Sequence, residues 1–247
     1  MERIILIETS TALCSVALAE NGEIVSYKES SAPKAHASLT AVFIQEVLQE
    51  RGLTLADCDA VCVSMGPGSY TGLRVGVSTA KGLCFGAGKP LLAVGTLDTL
   101  VAQAFSPAEL EANVEYRYII PMIDARRMEV YSAVFEIAGQ ADNDGGNAES
   151  HEGVRQITDT TPVIIDENSF AEYLEQGSCL FIGDGAGKCA DVIRHPNASF
   201  CQCHPKASSM LAPALKAYKE KRFEDVAYFE PFYLKEFVAT VSKKKLF

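Results

Sequence analysis

Apolar residues fall along this chain in short runs separated by polar turns, and the runs predict its elements. Residues 3–8 and 13–19 read as two strands. Asn21-Gly22, a type I′ hairpin signal, follows, and 23–30 returns as a third strand. Over 36–51 the period becomes helical: Leu39, Val42, Phe43, Val47 and Leu48 make one apolar stripe, and Gly52 stands where a helix would end. Residues 60–65 read as a buried strand, 73–85 as a glycine-loaded helix, 91–94 as a short strand and 96–105 as a further helix.

The second half is expected to repeat this order. Residues 118–124 and 128–137 read as strands, with 154–158 or 163–165 as a third. A helix over 169–176, a strand over 179–182, and helices over 185–194 and 210–221 complete it, while the polar stretch 140–153 reads as a surface loop. A β-β-β-α-β-α order used twice predicts an α/β protein of two lobes. The expected lobes are residues 1–106 and a second, smaller lobe, 107–247, meeting near Ser106-Pro107, with the C-terminal helix packing back on the first.

The run Gly66-Pro67-Gly68-Ser69-Tyr70-Thr71-Gly72-Leu73-Arg74-Val75-Gly76 leads from a strand into a helix. Each interior helix glycine costs about 0.8–1 kcal/mol against alanine, so something must offset the loss. A ligand at the helix N-terminus is one answer, but the spacing matches neither a P-loop nor a dinucleotide fingerprint. The alternative is close packing: Gly68, Gly72, Gly76 and Ala80 recur every four residues along one face. That face either packs inside the chain or receives a partner helix, and the sequence leaves both open.

Other candidate chemistry is incomplete. Glu8-Thr9-Ser10-Thr11 sits where an actin-like ATPase carries an Asp-x-Gly-Thr phosphate turn, but without the glycine. His36 opens a helix whose i+4 residue is Thr40, so a His pair for a metal is missing. Asp124-Ala125-Arg126-Arg127 reads as a charged turn, and Gly183-Asp184-Gly185-Ala186-Gly187-Lys188 as a second strand-to-helix glycine loop. Cys201-Gln202-Cys203-His204 is a close cluster with no second ligand pair. No Ser/His/Asp or Cys/His arrangement stands out.

Composition narrows the class. With 247 residues, 48% hydrophobic and 22% charged, the chain has the make-up of a globular protein, and no apolar run approaches the ~20 residues that span a bilayer. The start of the chain enters a strand directly rather than a secretory leader, so the cytoplasm is expected. Eight cysteines, mostly in apolar segments, suit a reducing compartment. The net charge of −10 disfavours stand-alone nucleic-acid binding; Lys243-Lys244-Lys245 is the one basic run.

The glycine motif, Ile7-Glu8-Thr9-Ser10, His36, Ala80-Lys81-Gly82-Leu83, Asp124-Ala125-Arg126-Arg127 and Gly183-Asp184-Gly185-Ala186 together resemble the TsaB (YeaZ) family. The resemblance is strongest over residues 1–94. It implies a two-lobed actin-like ATPase (ribonuclease H-like) fold, each lobe a mixed sheet with flanking helices. It also implies a non-catalytic scaffold in threonylcarbamoyl transfer to the adenosine beside the anticodon of tRNA. The catalytic paralogue TsaD and the ATPase TsaE would be its partners, homodimerisation would use the same first-lobe helices, and tRNA would be met only through the complex. On that reading no catalytic, cofactor or metal residue is expected, and there is no membrane partner. The interface would involve His36, Leu39, Phe43, Gly68, Gly72, Arg74, Gly76 and Ala80, with Gly72, Gly76 and Ala80 facing outward. The competing expectation is a stand-alone ATP- or metal-dependent enzyme of the same fold.

Overall fold

Ile4, Ile5, Leu6 and Ile7 are at most 1% exposed, so strand β1 (Arg3–Glu8) is buried on both faces. A strand of that kind must be central. The computed structural model describes residues 2–105, 115–137 and 153–234. In it β1 pairs antiparallel with β2 (Cys14–Glu20) and parallel with β4 (Ala60–Gly66). β3 (Glu23–Ser30) and β5 (Leu91–Gly95) lie at the edges, giving the order β3-β2-β1-β4-β5. Asn21 and Gly22 turn the β2–β3 hairpin at φ of 51° and 85°, as a type I′ turn requires.

The second sheet repeats this arrangement. β6 (Tyr118–Asp124) pairs antiparallel with β7 (Glu129–Ser132) and parallel with β11 (Cys179–Gly183), and the order is β10-β7-β6-β11-β12. Both alternatives for the third strand are realised, as β9 (Val154–Gln156) and β10 (Thr161–Ile164). The single strand expected over 128–137 is two, β7 and β8 (Phe135–Ile137). The break falls opposite Pro121, which has no N–H to donate; Ser132 Oγ instead donates to the Pro121 carbonyl at 2.8 Å. β12 (Ala198–Gln202) has no counterpart in the sequence reading, because its side chains are mostly half-buried and show neither alternation nor a dense apolar run.

One face of the first sheet carries α1 (Ala35–Gln49) and α2 (Tyr70–Ala87). Phe43, Ile44, Val47 and Leu48 of α1 meet Val77, Ala80 and Cys84 of α2 over Ile5, Ile7, Val16 and Val63. The short helices α4 (Ala171–Gln176) and α5 (Ala186–Ala190) belong to the second half. The last helix of each half crosses over. α3 (Thr96–Ala104) sets Leu97, Leu100 and Val101 against Ile119, Ile123 and Leu180 of the second sheet. α6 (Leu211–Lys219) sets Ala214 and Ala217 against the first sheet, with Ile4, Leu6 and Leu92. Gln103 ties the crossing together: its Nε2 donates to His204 O at 3.0 Å, and its Oε1 accepts from Lys206 N at 3.1 Å. The expected boundary at Ser106-Pro107, the loop 140–153 except its last residue, and Lys243-Lys244-Lys245 lie outside the described residues.

Candidate partner surface on the first two helices

The glycine motif is built onto the turn between β1 and β2. A β-carbon added to Gly68 would fall under 3.0 Å from the carbonyl oxygen of Ser10, one on Gly72 would do so at the carbonyl oxygen of Thr9, and one on Gly76 at Thr9 Oγ1. Ser69 N donates to Ser10 O at 2.6 Å, and the Ser69 side chain caps α2 by accepting from Gly72 N at 3.3 Å. The missing side chains therefore let the first turns of α2 lie directly on residues 9 and 10. The helix start is occupied by the fold itself. This corrects the outward orientation: Gly72, Gly76 and Ala80 are buried, Gly68 is half-buried, and Phe43 lies in the core.

Beneath that contact Glu8 is 0% exposed. Ser10 N donates to its Oε1 at 2.7 Å. Burial pushes its carboxyl up to about 7, against opposing hydrogen bonds from Ser10, Ser64 and Thr9. Thr9, Ser10 and Thr11 are buried beside it, and the Thr9 and Thr11 hydroxyls have no hydrogen-bond partner among the described residues.

The other two helix glycines point the opposite way. Gly82 and Gly86 have nothing within 4 Å of an added β-carbon, and Phe85 between them is 85% exposed. Arg74 and Ser78 are exposed on the same helix, and Val42 of the adjacent α1 is 41% exposed. Of the other expected interface residues, His36 and Leu39 are half-buried. The sequence reading did not single out Ser78, Gly82, Phe85 and Gly86 as a second face of α2, although they recur at three- and four-residue spacing. Beside α2 runs the C-terminal segment 222–234. Its backbone is held by Glu224 N donating to Leu91 O at 2.8 Å, Lys81 Nζ donating to Ala227 O at 3.2 Å and Phe229 O at 2.9 Å, and Phe232 N donating to Met65 O at 2.7 Å.

The second half closes its own turns. Arg126 and Arg127 adopt φ of 68° and 50°, and Arg126 N donates to Asp124 Oδ1 at 2.8 Å. The charge partner of Asp124 is Lys188 rather than the neighbouring arginines. Lys188 Nζ also donates to Arg127 O at 2.9 Å and Glu129 O at 2.6 Å. Gln202 Oε1 accepts from Gly187 N at 2.5 Å, and Asp184 Oδ1 from Asp124 N at 2.9 Å. Burial raises the Asp184 carboxyl above its ordinary value. Thr40, four residues after His36, donates its hydroxyl to His36 O at 2.6 Å. Cys201 and Cys203 pack on the core beneath α3, and His204 Nδ1 stands 3.9 Å from Asp184 Oδ2. Among the described residues no three His, Cys, Asp or Glu side chains converge as metal ligands.

The family model described as TsaD, tRNA N6-adenosine threonylcarbamoyltransferase, matches residues 28–243. The tRNA threonylcarbamoyladenosine biosynthesis protein TsaB of Escherichia coli is 31% identical over 241 residues, covering 96% of each chain. This chain belongs to the TsaB (YeaZ) family. The Haemophilus influenzae TsaB is 38% identical over 128 residues, 52% of this chain and 51% of that one. A tRNA N6-adenosine threonylcarbamoyltransferase of Novosphingobium aromaticivorans is 34% identical over 108 residues, 44% of this chain but only 29% of that enzyme. The solved structure of YeaZ from Pseudomonas aeruginosa, 24% identical, superposes over 95% of this chain and 100% of that one with a TM-score of 0.78. The two sheets of one topology, with their crossed helices, are the actin-like fold of that family. No helix among the described residues is long and apolar enough to cross a membrane.

Proposed function

We propose that this chain is the non-catalytic subunit that pairs with a TsaD-type threonylcarbamoyltransferase, with TsaE as associated ATPase, in making threonylcarbamoyladenosine in tRNA. One observation carries the pairing. The outer face of α1 and α2 offers Val42, Gly82, Phe85 and Gly86 to solvent, an uncharged surface with an aromatic anchor and room for a partner's backbone to approach. Self-association would use the same face, so two copies of this chain compete with the transferase for it.

The absence of catalysis rests on the turns. Glu8-Thr9-Ser10-Thr11 lacks the glycine of a phosphate turn, and the Thr9 and Ser10 carbonyls face α2. In the second half, Lys188 and Gln202 use the donors and acceptors that a ligand would need. With a net charge of −10, tRNA would be met through the complex, in the cytoplasm.

The test is to mix the chain with the TsaD-type subunit of its own organism and measure complex mass by light scattering on a sizing column. Threonylcarbamoyl transfer to tRNA is then assayed with TsaE and ATP. A complex whose activity requires this chain supports the proposal. No complex, with ATP turnover or metal uptake by the chain alone, overturns it in favour of an independent enzyme.

A further inference from the structure

Arg74 is held in place without being paired. Its guanidinium carbon lies 4.2 Å from the centre of the Tyr70 ring. Tyr233, from the C-terminal segment, packs on the same ring with centroids 4.7 Å apart and planes tilted by 37°. Beyond that stacking Arg74 has no hydrogen bond or ion pair among the described residues, although it is exposed. A free arginine loses considerable rotamer entropy on forming a contact. Here the aromatic contact has already restricted the side chain, so a new partner gains a pre-oriented donor fork.

The surroundings define what that partner is. Arg74 lines a groove of about 450 Å³ between α2 and the C-terminal segment, together with Ser78, Lys81, Phe229, Glu230 and Tyr233. Lys81 gives two of its three ammonium hydrogens to carbonyls of the segment, and its charge remains in the groove. Glu230 is the one carboxylate on the lining, and no ion pair joins it to either cation among the described residues. On a chain of net charge −10, this groove is a local reversal of sign. Ser78 places the groove on the border of the uncharged outer face of α2.

We propose that Arg74 receives an aspartate or glutamate side chain of the partner subunit, bound through the guanidinium fork as the partner lies along α2. The inference rests on the pairing proposed above and adds the chemistry of its edge. An acidic position at the rim fixes the register of the partner along the helix and steers its approach.

The experiment uses the full-length chain and the purified TsaD-type subunit, with affinity measured by calorimetry at low and moderate salt. Arg74→Glu is expected to weaken binding about tenfold or more. Arg74→Gln is expected to flatten the salt dependence. Arg74→Lys should recover only part of the affinity, since an ammonium keeps the charge but not the fork. Melting temperatures report whether each variant stays folded, and Arg74→Gln carries the test should the charge reversal unfold the chain. A wild-type complex bound within about twofold as tightly by Arg74→Glu and Arg74→Gln overturns this inference alone. Nucleotide binding by the isolated chain that Arg74→Glu abolishes, with complex affinity unchanged, also overturns it. Failure of the wild-type chain to form any complex removes the pairing and this inference together.

Discussion

Gly76 lies directly beneath the hydroxyl of Thr9, and a β-carbon on Gly76 would fall well under 3.0 Å from Thr9 Oγ1. One turn earlier Gly72 meets the Thr9 carbonyl in the same way. The spaced glycines are thus the seat of a helix on a backbone turn. The obstacle at Gly72 is main chain, which cannot swing aside as a flexible side chain would.

Gly72→Ala and Gly76→Val should therefore unfold or severely weaken the chain, by at least about 2–3 kcal/mol. Gly82→Ala and Gly86→Ala, whose β-carbons enter open space, should each stabilise it by about 0.5–1 kcal/mol through helix propensity. Urea denaturation of the four variants measures the contrast. Equal behaviour of the two pairs would contradict the inward seating of Gly72 and Gly76.

Glu8 gives the stability a pH dependence. Its carboxyl titrates near 7 in the folded chain, mainly through burial, against about 4.5 for an ordinary glutamate. Between those values the unfolded chain has lost the proton while the folded chain keeps it. This group's contribution to stability therefore falls as pH rises from about 4.5 to 7, then levels off. The full effect is on the order of 3 kcal/mol. Glu8→Gln should remove that slope and leave the variant relatively more stable than the parent at pH 8 than at pH 5. Denaturation midpoints at the two pH values check this.

Lys188 holds the β6–β7 turn through two backbone carbonyls and Asp124. Lys188→Ala should cost about 0.5–1.5 kcal/mol through the lost hydrogen bonds, since the freed acceptors are partly exposed and can take water. The loss should appear first as faster hydrogen exchange at residues 125–128, where Arg126 and Arg127 already occupy left-handed backbone.

Phe85→Ser tests the outer face separately from the fold. At 85% exposure the ring contributes little to the core, so stability should change by less than about 0.5 kcal/mol. Binding to the transferase subunit should weaken about tenfold or more, as for an aromatic anchor at an interface. Calorimetry and a melting curve on one preparation separate the two effects.

Much of this protein was legible in its sequence because the signals are local. The Asn21-Gly22 hairpin, the stripe from Leu39 to Leu48, the strand–glycine–helix transition at residue 66 and the doubled order of elements follow from backbone preferences and periodicity within a few residues. The motifs also sufficed for the family. β12 left no such mark, since half-buried side chains impose no pattern. Nor did the crossing of α3, whose apolar face suits either sheet and is assigned by contacts with distant strands. The glycines of α2 show the limit most clearly. Gly72 and Gly76, like Gly82 and Gly86, are four residues apart, so both pairs are equally good small stripes. Which pair is buried depends on Thr9 and Ser10, brought from far back in the chain by the pairing of β1 with β4. Periodicity defines the faces of a helix; packing decides which of them is left for a partner.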